Sequence, residues 1–322
     1  VPFDQSFDGE QSLPFVAGAA IDVDGDGTNE LFLGGGRGQP DGLFRFERGK
    51  MIAIENAGGI TKPDSVLSHG SVVLDVNSDD SEDLIVARED GIWLHTNNGG
   101  TFSSAKLDAP MSEETTPLSV AVADINNDGH FDMFVSGYIR NDLVEGQNIF
   151  NKEGYGGTSA LLINRGDNTF ENKTKEAGLY YKHNTFQAVF IDVDLDRDLD
   201  LVVAHDTGHV RTWKNDGSGK FSNTDNPTST NFSYPMGIAV ADYDQNGLAD
   251  FFFSNVGSTP PTFLLRGDLR DDQVHNWKWM LFGNNGNFQF TDVAAKAKLA
   301  DYEFSWGAVF SDLNLDGRDD LV

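Results

Sequence analysis

The sequence predicts an all-β protein, a β-propeller of four-stranded antiparallel blades. Three observations lead to this fold class. An acidic nonapeptide occurs six times, each copy lies between two short apolar runs, and a Gly/Asn turn followed by Phe recurs later in most repeats. The first Asp residues of successive copies are 53, 49, 68, 50 and 70 residues apart. Periods of about 40–50 residues containing several short strands are typical of propeller blades.

Repeat two shows the predicted order of elements. A first strand (70–74) enters the acidic loop, and a second strand (84–86) leaves it. A third strand (92–96) leads into an Asn-Asn-Gly-Gly turn, and the fourth strand begins at Phe102. Such turns require positive φ and favour hairpins. Helix is expected at most in two short stretches, 174–177 and 294–298.

The six repeats predict a single propeller domain over residues 1–322. The copies of the nonapeptide are 22–30, 75–83, 124–132, 192–200, 242–250 and 312–320. The sixth copy is followed only by Leu321 and Val322, so the last visible blade is expected to be truncated and the parent chain to be longer.

The side chain that lies six residues before the first Asp of each copy is mostly bulky. We interpret these residues as packing between blades, with an apolar ring at the mouth of a central channel as the alternative: Val16, His69, Leu118, Phe186, Met236 and Trp306.

Composition restricts the possible partners and the compartment. The 322 residues include 51 acidic and 23 basic side chains, a formal net charge of −28. This charge opposes binding to nucleic acid or to an anionic membrane. The chain has no cysteine, which excludes disulfides and thiolate metal sites, and no apolar run approaches the ~20 residues that span a bilayer. The start at Val1, without Met, is consistent with a processed protein that is secreted or on the surface of a bacterial cell.

Carboxylates alternate along each acidic nonapeptide. All six copies have Asp at position 1, Asp or Asn at positions 3 and 5, and Asp or Glu at position 9. Side chains at positions 1, 3 and 5 of a tight loop can converge on one ion, position 7 can add a backbone carbonyl, and position 9 a bidentate carboxylate. This suits the roughly six to eight oxygen ligands of calcium. The prediction is up to six Ca²⁺ sites with these ligands: Asp22, Asp24, Asp26, Thr28, Glu30; Asp75, Asn77, Asp79, Ser81, Asp83; Asp124, Asn126, Asp128, His130, Asp132; Asp192, Asp194, Asp196, Asp198, Asp200; Asp242, Asp244, Asn246, Leu248, Asp250; Asp312, Asn314, Asp316, Arg318, Asp320.

Neither an EF-hand nor a simple acidic turn accounts for the six loops as well as an ion site does. An EF-hand needs Glu at position 12 and flanking helices, whereas position 12 is Leu33 in the first copy and both flanks are predicted strands. An acidic turn with Asx hydrogen bonds would account for one isolated copy, but six copies in one context favour ion sites. By charge, repeats one and four are expected to bind calcium best. Repeat two is expected to bind weakest, with Asn77 at position 3, and Asp80 and Arg197 at position 6 should strain their loops.

The Asp-x-Asn-x-Asp-Gly-x-x-Asp-Leu pattern resembles the FG-GAP/VCBS repeats of integrin α-subunit propellers and of many secreted bacterial proteins. The segments 170–179, 288–295 and 304–317 resemble the cartilage acidic protein/UnbV-like (ASPIC-associated) branch. The resemblance covers nearly the whole chain. It implies a propeller of about seven blades, bound calcium, and extracellular binding or adhesion without a defined ligand.

Other signals are weaker. Arg-Gly-Asp occurs at 165–167, where turn chemistry accounts for it, and at 266–268, within an insertion. His205, Asp206 and His209 lack the Glu and helix of a zinc protease motif. The extra length of repeats three and five falls after the second strand, at 137–158 and 255–276, so these insertions should lie opposite the acidic loops.

The sequence therefore favours a calcium-stabilised, non-enzymatic propeller that binds an extracellular protein or glycan, or associates with itself. No catalytic grouping of residues is found. The alternatives are a carbohydrate-active propeller enzyme, of lyase or dehydratase type, and the structural subunit of an extracellular filament. Neither nucleic-acid binding nor membrane insertion is expected.

Overall fold

The computed structural model describes residues 16–63, 65–143, 154–224, 231–257 and 274–322. Regular structure in these residues is almost entirely β, with short 3-10 turns at Glu55–Gly59 and Asn141–Leu143. By residue contacts the chain divides into two compact units, residues 1–105 with 140–144, and residues 106–139 with 145–322. The all-β prediction is confirmed, and the single-domain prediction stays a prediction.

The first unit contains two four-stranded antiparallel sheets in which strands pair in sequence order. Each sheet has the order of a propeller blade, with the acidic loop joining its first and second strands. The strands are β1 (Gly18–Ile21), β2 (Glu30–Leu33), β3 (Gly42–Glu47) and β4 (Lys50–Ala53) in one sheet, and β5 (Ser68–Leu74), β6 (Asp83–Arg88), β7 (Gly91–Asn97) and β8 (Phe102–Lys106) in the other.

The second unit contains three more sheets of this kind and two pairs of short strands. The four-stranded sheets are β9 (Thr115–Ala123), β10 (Asp132–Ile139), β11 (Ala160–Asn164), β12 (Phe170–Asn172); β13 (Thr185–Ile191), β14 (Asp200–His205), β15 (Arg211–Asn215), β16 (Phe221–Asn223); and β18 (Ile238–Ala241), β19 (Asp250–Phe253), β21 (Met280–Asn284), β22 (Phe290–Asp292). The pairs are β17 (Asn231–Phe232) with β20 (Val274–His275), and β23 (Phe310–Ser311) with β24 (Asp320–Leu321).

Two details differ from the sequence prediction. Strands β17 and β20 pair in parallel, which the antiparallel repeat pattern did not indicate. The two stretches expected to be helical each form a single turn, because one bond of helical spacing closes each of them: Ala177 N donates to Lys173 O at 2.8 Å, and Ala297 N to Val293 O at 2.9 Å.

In repeats two to five, the three residues that follow the position-9 carboxylate are apolar because both faces of the second strand are buried there. In β14, Leu201 and Val203 pack with residues of β10 and β11, whereas Val202 and Ala204 pack with β19 and β21. Successive side chains of a strand point to opposite faces, so alternate residues of one strand enter two different cores. This is the packing expected of consecutive blades, and it accounts for the lack of alternation between apolar and polar residues in these strands.

A fully buried ion pair lies within the first unit. Arg88 Nη2 and Asp41 Oδ2 are 2.6 Å apart, and both side chains are 0% exposed. The remaining oxygen of Asp41 accepts bonds from Gly35 N at 2.6 Å and Ser68 Oγ at 2.9 Å. His95 Nε2 lies 3.2 Å from Arg88 Nη2, and burial together with the Arg88 charge lowers the pKa of His95 to about 3. A neutral His95 accepts from the guanidinium, so every buried charge here has partners.

Candidate metal centres

The first Asp of every acidic loop organises the backbone of that loop. In repeat three, Asp124 Oδ1 accepts from Asp128 N at 3.0 Å and Asp124 Oδ2 from Gly129 N at 2.9 Å. The other five repeats have the same two bonds between position 1 and the backbone of positions 5 and 6. The Asx hydrogen bonds of an acidic turn are therefore present in all six loops. They close each loop so that its side chains converge.

Two residues of each loop adopt the left-handed conformation. Position 6 has φ between 66° and 86° in all six copies, as expected from its frequent Gly. Position 4 also has positive φ, from 58° to 73°, although only the first copy has Gly there. Asp80 and Arg197 occupy position 6 at φ 66° and 79°. A side chain in this conformation costs about 1–2 kcal/mol relative to right-handed backbone, consistent with the strain predicted for these loops.

The position-9 carboxylate is a buried anchor in loops one to five. In repeat four, Asp200 Oδ2 accepts from Val193 N at 3.0 Å, and Asp200 Oδ1 accepts from Asn215 N at 2.9 Å. Repeats two, three and five have the same pair of bonds. One carboxylate thus fixes both the start of the acidic loop and the end of the third strand. Each oxygen keeps a further lone pair with which to bind a cation.

Burial raises the pKa of this anchor. The pKa of Asp132 and that of Asp200 each rise to about 6, chiefly through desolvation, while the hydrogen bonds from Asn164 N and Asn215 N oppose the rise. The nearby loop carboxylates raise both pKa values further. A cation bound among these carboxylates would stabilise their ionised forms, because it offsets the repulsion between the loop carboxylates and the buried position-9 carboxylate.

Carboxylates converge in loops one, four and five. In each of these loops one ligand oxygen from each of three acidic side chains lies within 4.8 Å of the others, a spacing that could hold a metal ion. The three clusters are Asp22, Asp24, Glu30; Asp192, Asp194, Asp200; and Asp242, Asp244, Asp250. In loops two, three and six the predicted position-3 ligand is Asn77, Asn126 or Asn314, which supplies an amide oxygen instead of a third carboxylate.

These donors fit a hard cation. All are carboxylate or amide oxygens, which calcium and magnesium prefer over nitrogen or sulfur ligands. In loop four the buried Asp194 Oδ1 has no hydrogen-bond partner, which leaves it available to a cation. The thirty ligand residues nevertheless stay predictions, since what the geometry gives is three carboxylate clusters and six loops of one shape.

The asparagine that ends the third strand in repeats two to five was missed as a structural residue. The sequence suggested only a turn at Asn97, Asn164, Asn215 and Asn284. Three of these Asn side chains also donate to the position-2 carbonyl of the preceding repeat's acidic loop: Asn97 Nδ2 to Val23 O, Asn215 Nδ2 to Ile125 O and Asn284 Nδ2 to Val193 O, each at 2.9 Å. We call these three contacts the asparagine links. The recurrence of Asn at the end of the third strand was the sequence signal that could have predicted these links.

Replacing one of these asparagines is expected to destabilise the protein strongly. Asn215→Ala leaves the buried groups Ile125 O and Gly219 N without their side-chain partner, which costs roughly 1–3 kcal/mol each. We therefore expect the free energy of unfolding in urea to fall by about 2–4 kcal/mol. Asn223→Ala, at an exposed site in the same sheet, is the control and should change it by less than about 0.5 kcal/mol. Equal effects of the two substitutions would contradict the assignment.

The remaining sequence signals have structural roles where they are described. Arg165 and Asp167 of the first Arg-Gly-Asp lie on an exposed turn, with Asp167 Oδ1 accepting from Thr169 N at 3.0 Å. The second Arg-Gly-Asp, at 266–268, lies outside the described residues. His205 is buried against Tyr181, whose hydroxyl lies 2.8 Å from His205 Nε2. Within the described part of the chain, no helix has the length and apolar character that crossing a bilayer requires.

Comparison with known families matches part of the chain to one kind of repeat. The model of the FG-GAP-like repeat matches residues 75–135 and 192–253. These two segments are similar to FG-GAP-like repeats. Acidic loops two, three, four and five all lie within the matched segments, and each matched segment ends in the second strand of a sheet. A comparison with curated proteins gave no match.

Several solved structures resemble the chain at low sequence identity. An Agrocybe aegerita lectin described by its recognition of terminal N-acetylglucosamine is 15% identical, with a TM-score of 0.47 over 92% of this chain and 69% of the lectin. A GH43 β-1,3-galactosidase is 8% identical, with a TM-score of 0.42 over 90% of this chain and 99% of the enzyme. The V. cholerae biofilm matrix protein Bap1 is 10% identical, with a TM-score of 0.28 over 94% of this chain and 58% of Bap1.

Proposed function

We propose that this protein is a secreted, calcium-stabilised propeller that binds glycans and does not turn them over. The observation that carries the glycan assignment is a group of aromatic side chains beside polar groups at the strand ends of the second unit. We call Tyr138, Phe186, Phe304 and Trp306 the aromatic surface; Tyr138 is buried within it, Phe186 and Phe304 are partly exposed, and Trp306 is exposed. Calcium, in up to six loops, would stabilise the fold without contacting the glycan.

The rings of the aromatic surface contact one another in sequence. Tyr138 stacks on Phe186 with 5.9 Å between ring centroids, Phe186 meets Trp306 edge-on at 6.0 Å, and Phe304 meets Trp306 at 5.3 Å. Trp306 is 42% exposed. An exposed Trp held in place by neighbouring rings offers a flat apolar face at little cost in side-chain entropy. The apolar face of a pyranose ring has a matching shape.

Polar groups lie next to these rings. The Tyr138 hydroxyl donates to Asp206 Oδ2 at 2.7 Å, and His183 Nε2 lies 3.1 Å from Asp206 O. Burial and the Asp206 charge raise the pKa of Tyr138 well above its usual value, so the hydroxyl stays protonated. Asp206 and His183 are partly exposed. A few fixed polar groups beside an apolar face are typical of small-ligand sites, and here they could orient sugar hydroxyls.

The aromatic surface is remote from the acidic loop of its own sheet. Phe186 is at the start of β13, Asp206 directly follows β14, and the loop Asp192–Asp200 joins the other ends of these two strands. The seven residues of β13 rise about 3.3 Å each, so roughly 20 Å separate the two ends. This separation supports a structural role for calcium and a binding role for the opposite end.

A glycan array, run together with a screen for polysaccharide turnover, tests the proposal. We expect binding without turnover, and a loss of affinity of at least about tenfold in Trp306→Ala, because truncating a central aromatic contact typically costs 2 kcal/mol or more. The control is Tyr180→Ala, another exposed aromatic residue of this unit. Turnover would instead support the carbohydrate-active enzyme. Concentration-dependent filaments without glycan binding would support the structural subunit.

We further propose that the chain belongs to the cartilage acidic protein/UnbV-like branch and comes from an extracellular or cell-surface protein of about seven blades. The support is the resemblance of segments 170–179, 288–295 and 304–317, together with the absence of cysteine and the oxygen-rich loops. Sites of modest calcium affinity are useful where calcium is abundant, outside the cell. Adhesion to a protein partner is the alternative to glycan binding.

A further inference from the structure

A lysine side chain lies among the carboxylates of loop four. Lys214 is on β15, directly before Asn215, and its Nζ donates to Asp194 Oδ2 and, at 2.8 Å, to Asp196 Oδ2. The Asp194 side chain is only 9% exposed and Lys214 is 39% exposed. The Lys214 ammonium therefore contacts the position-3 and position-5 carboxylates, two of the groups predicted to bind the ion.

In the other repeats whose third strand ends in Asn, the residue directly before that Asn is uncharged: Thr96 in repeat two, Ile163 in repeat three and Gly283 in repeat five. In repeat one the strand register places Arg45 at this position, where its Nε pairs with Glu47 Oε1 at 2.7 Å. Loop four has five carboxylates, at 192, 194, 196, 198 and 200, as many as loop two, and it is the one loop with a carboxylate at all five predicted ligand positions. The loop whose five ligand positions are all acidic thus receives an ammonium from its own chain.

We propose that Lys214 is the resident cation of loop four and competes there with divalent ions. Loop four then keeps its shape without metal and binds calcium more weakly than loop five, although the cluster of Asp192, Asp194 and Asp200 has the same spacing as that of loop five. This inference rests on the proposed calcium role of the loops. It reverses the expectation, drawn from charge alone, that repeat four is among the tightest sites.

The competition follows from tethering and geometry. Backbone pairing of β15 with β14 and β16 places the ammonium beside the loop, so its effective concentration there is high whatever the solution contains. A divalent ion that binds Asp194 and Asp196 must first break both contacts of Lys214. The Asp194 Oδ1 that has no partner shows that one ammonium does not satisfy the whole loop, so a divalent ion can still displace it at high concentration.

Hydrogen exchange of the unaltered protein in calcium and in excess EDTA is the first test. We expect the amides of Asp196 and Arg197, which donate to Asp192, to keep protection in EDTA at least tenfold above those of Asn246 and Gly247 in loop five. Equal loss of protection in both loops would overturn the Lys214 proposal while supporting the calcium role. Full protection of both loops in EDTA would overturn the calcium role and the Lys214 proposal with it.

Calcium titration calorimetry of Lys214→Met is the second test. Without the competing ammonium, we expect one site to bind at least tenfold tighter than in the unaltered protein, and loop four to lose its protection in EDTA. Lys220→Met, at an exposed position on the next turn, is the control and should match the unaltered protein. An unchanged or weakened calcium site in Lys214→Met would contradict the proposal, and the exchange test decides it should this variant not fold.

Discussion

Excess EDTA is expected to lower the melting temperature by at least about 10 °C. An ion that binds only the folded chain contributes about 2.7 kcal/mol at 100 times its Kd, so two occupied loops contribute about 5 kcal/mol. In a chain of this size 1 kcal/mol shifts the melting temperature by roughly 2–4 °C. The effect should be large because calcium would neutralise carboxylates that converge within 4.8 Å in loops one and five, where no described lysine contacts them. Calorimetry with and without EDTA measures it.

Two controls separate metal loss from other effects of the chelator. Calcium added in excess over EDTA should restore the melting temperature. Asp244→Asn removes a carboxylate from the loop-five cluster and should reduce the response to EDTA, whereas Asp301→Asn, an exposed acid outside the loops, should leave the response unchanged. A melting curve that EDTA does not move would disprove the calcium role.

The second large effect is expected from the buried ion pair of the first unit. Asp41→Ala leaves the Arg88 guanidinium without a counter-ion at a site with no solvent exposure, which typically costs about 3–5 kcal/mol. The free energy of unfolding in urea measures the loss. Trp93 fluorescence is a local probe, because the Arg88 guanidinium lies 5.0 Å from the centre of that ring.

A surface ion pair of the same unit provides the matched control. Arg45 and Glu47 are 2.7 Å apart and both about half exposed, so Glu47→Gln should cost less than about 1 kcal/mol. The double variant Asp41→Leu with Arg88→Met should recover part of the loss, because no buried charge remains without a partner. If Asp41→Ala costs no more than Glu47→Gln, the buried pair is not a major source of stability.

The sheets could be predicted because their signals are local. In every repeat the acidic loop joins strands that are adjacent in sequence, so the first Asp and the strand on either side lie within about a dozen residues. The hairpin turns show the same locality: the Asn98–Thr101 turn closes with a 2.7 Å bond between residues three positions apart. Regular spacing then extends one repeat to the next.

Contacts between distant residues could not be predicted in this way. Arg88 and Asp41 are 47 positions apart, and the asparagine links join residues 74 to 91 positions apart. Lys214 lies outside the acidic nonapeptide. Ranking the loops by the charge of the nonapeptide therefore leaves out a cation that contacts loop four. Only the pairing of β15 with β14 brings its ammonium to Asp194.

The asparagine links also give the series of repeats a direction along the chain. In all three, the amide extends from the third strand of one repeat to the acidic loop of the repeat before it. A disturbance of one loop would therefore be transmitted first to the sheet that follows it in sequence.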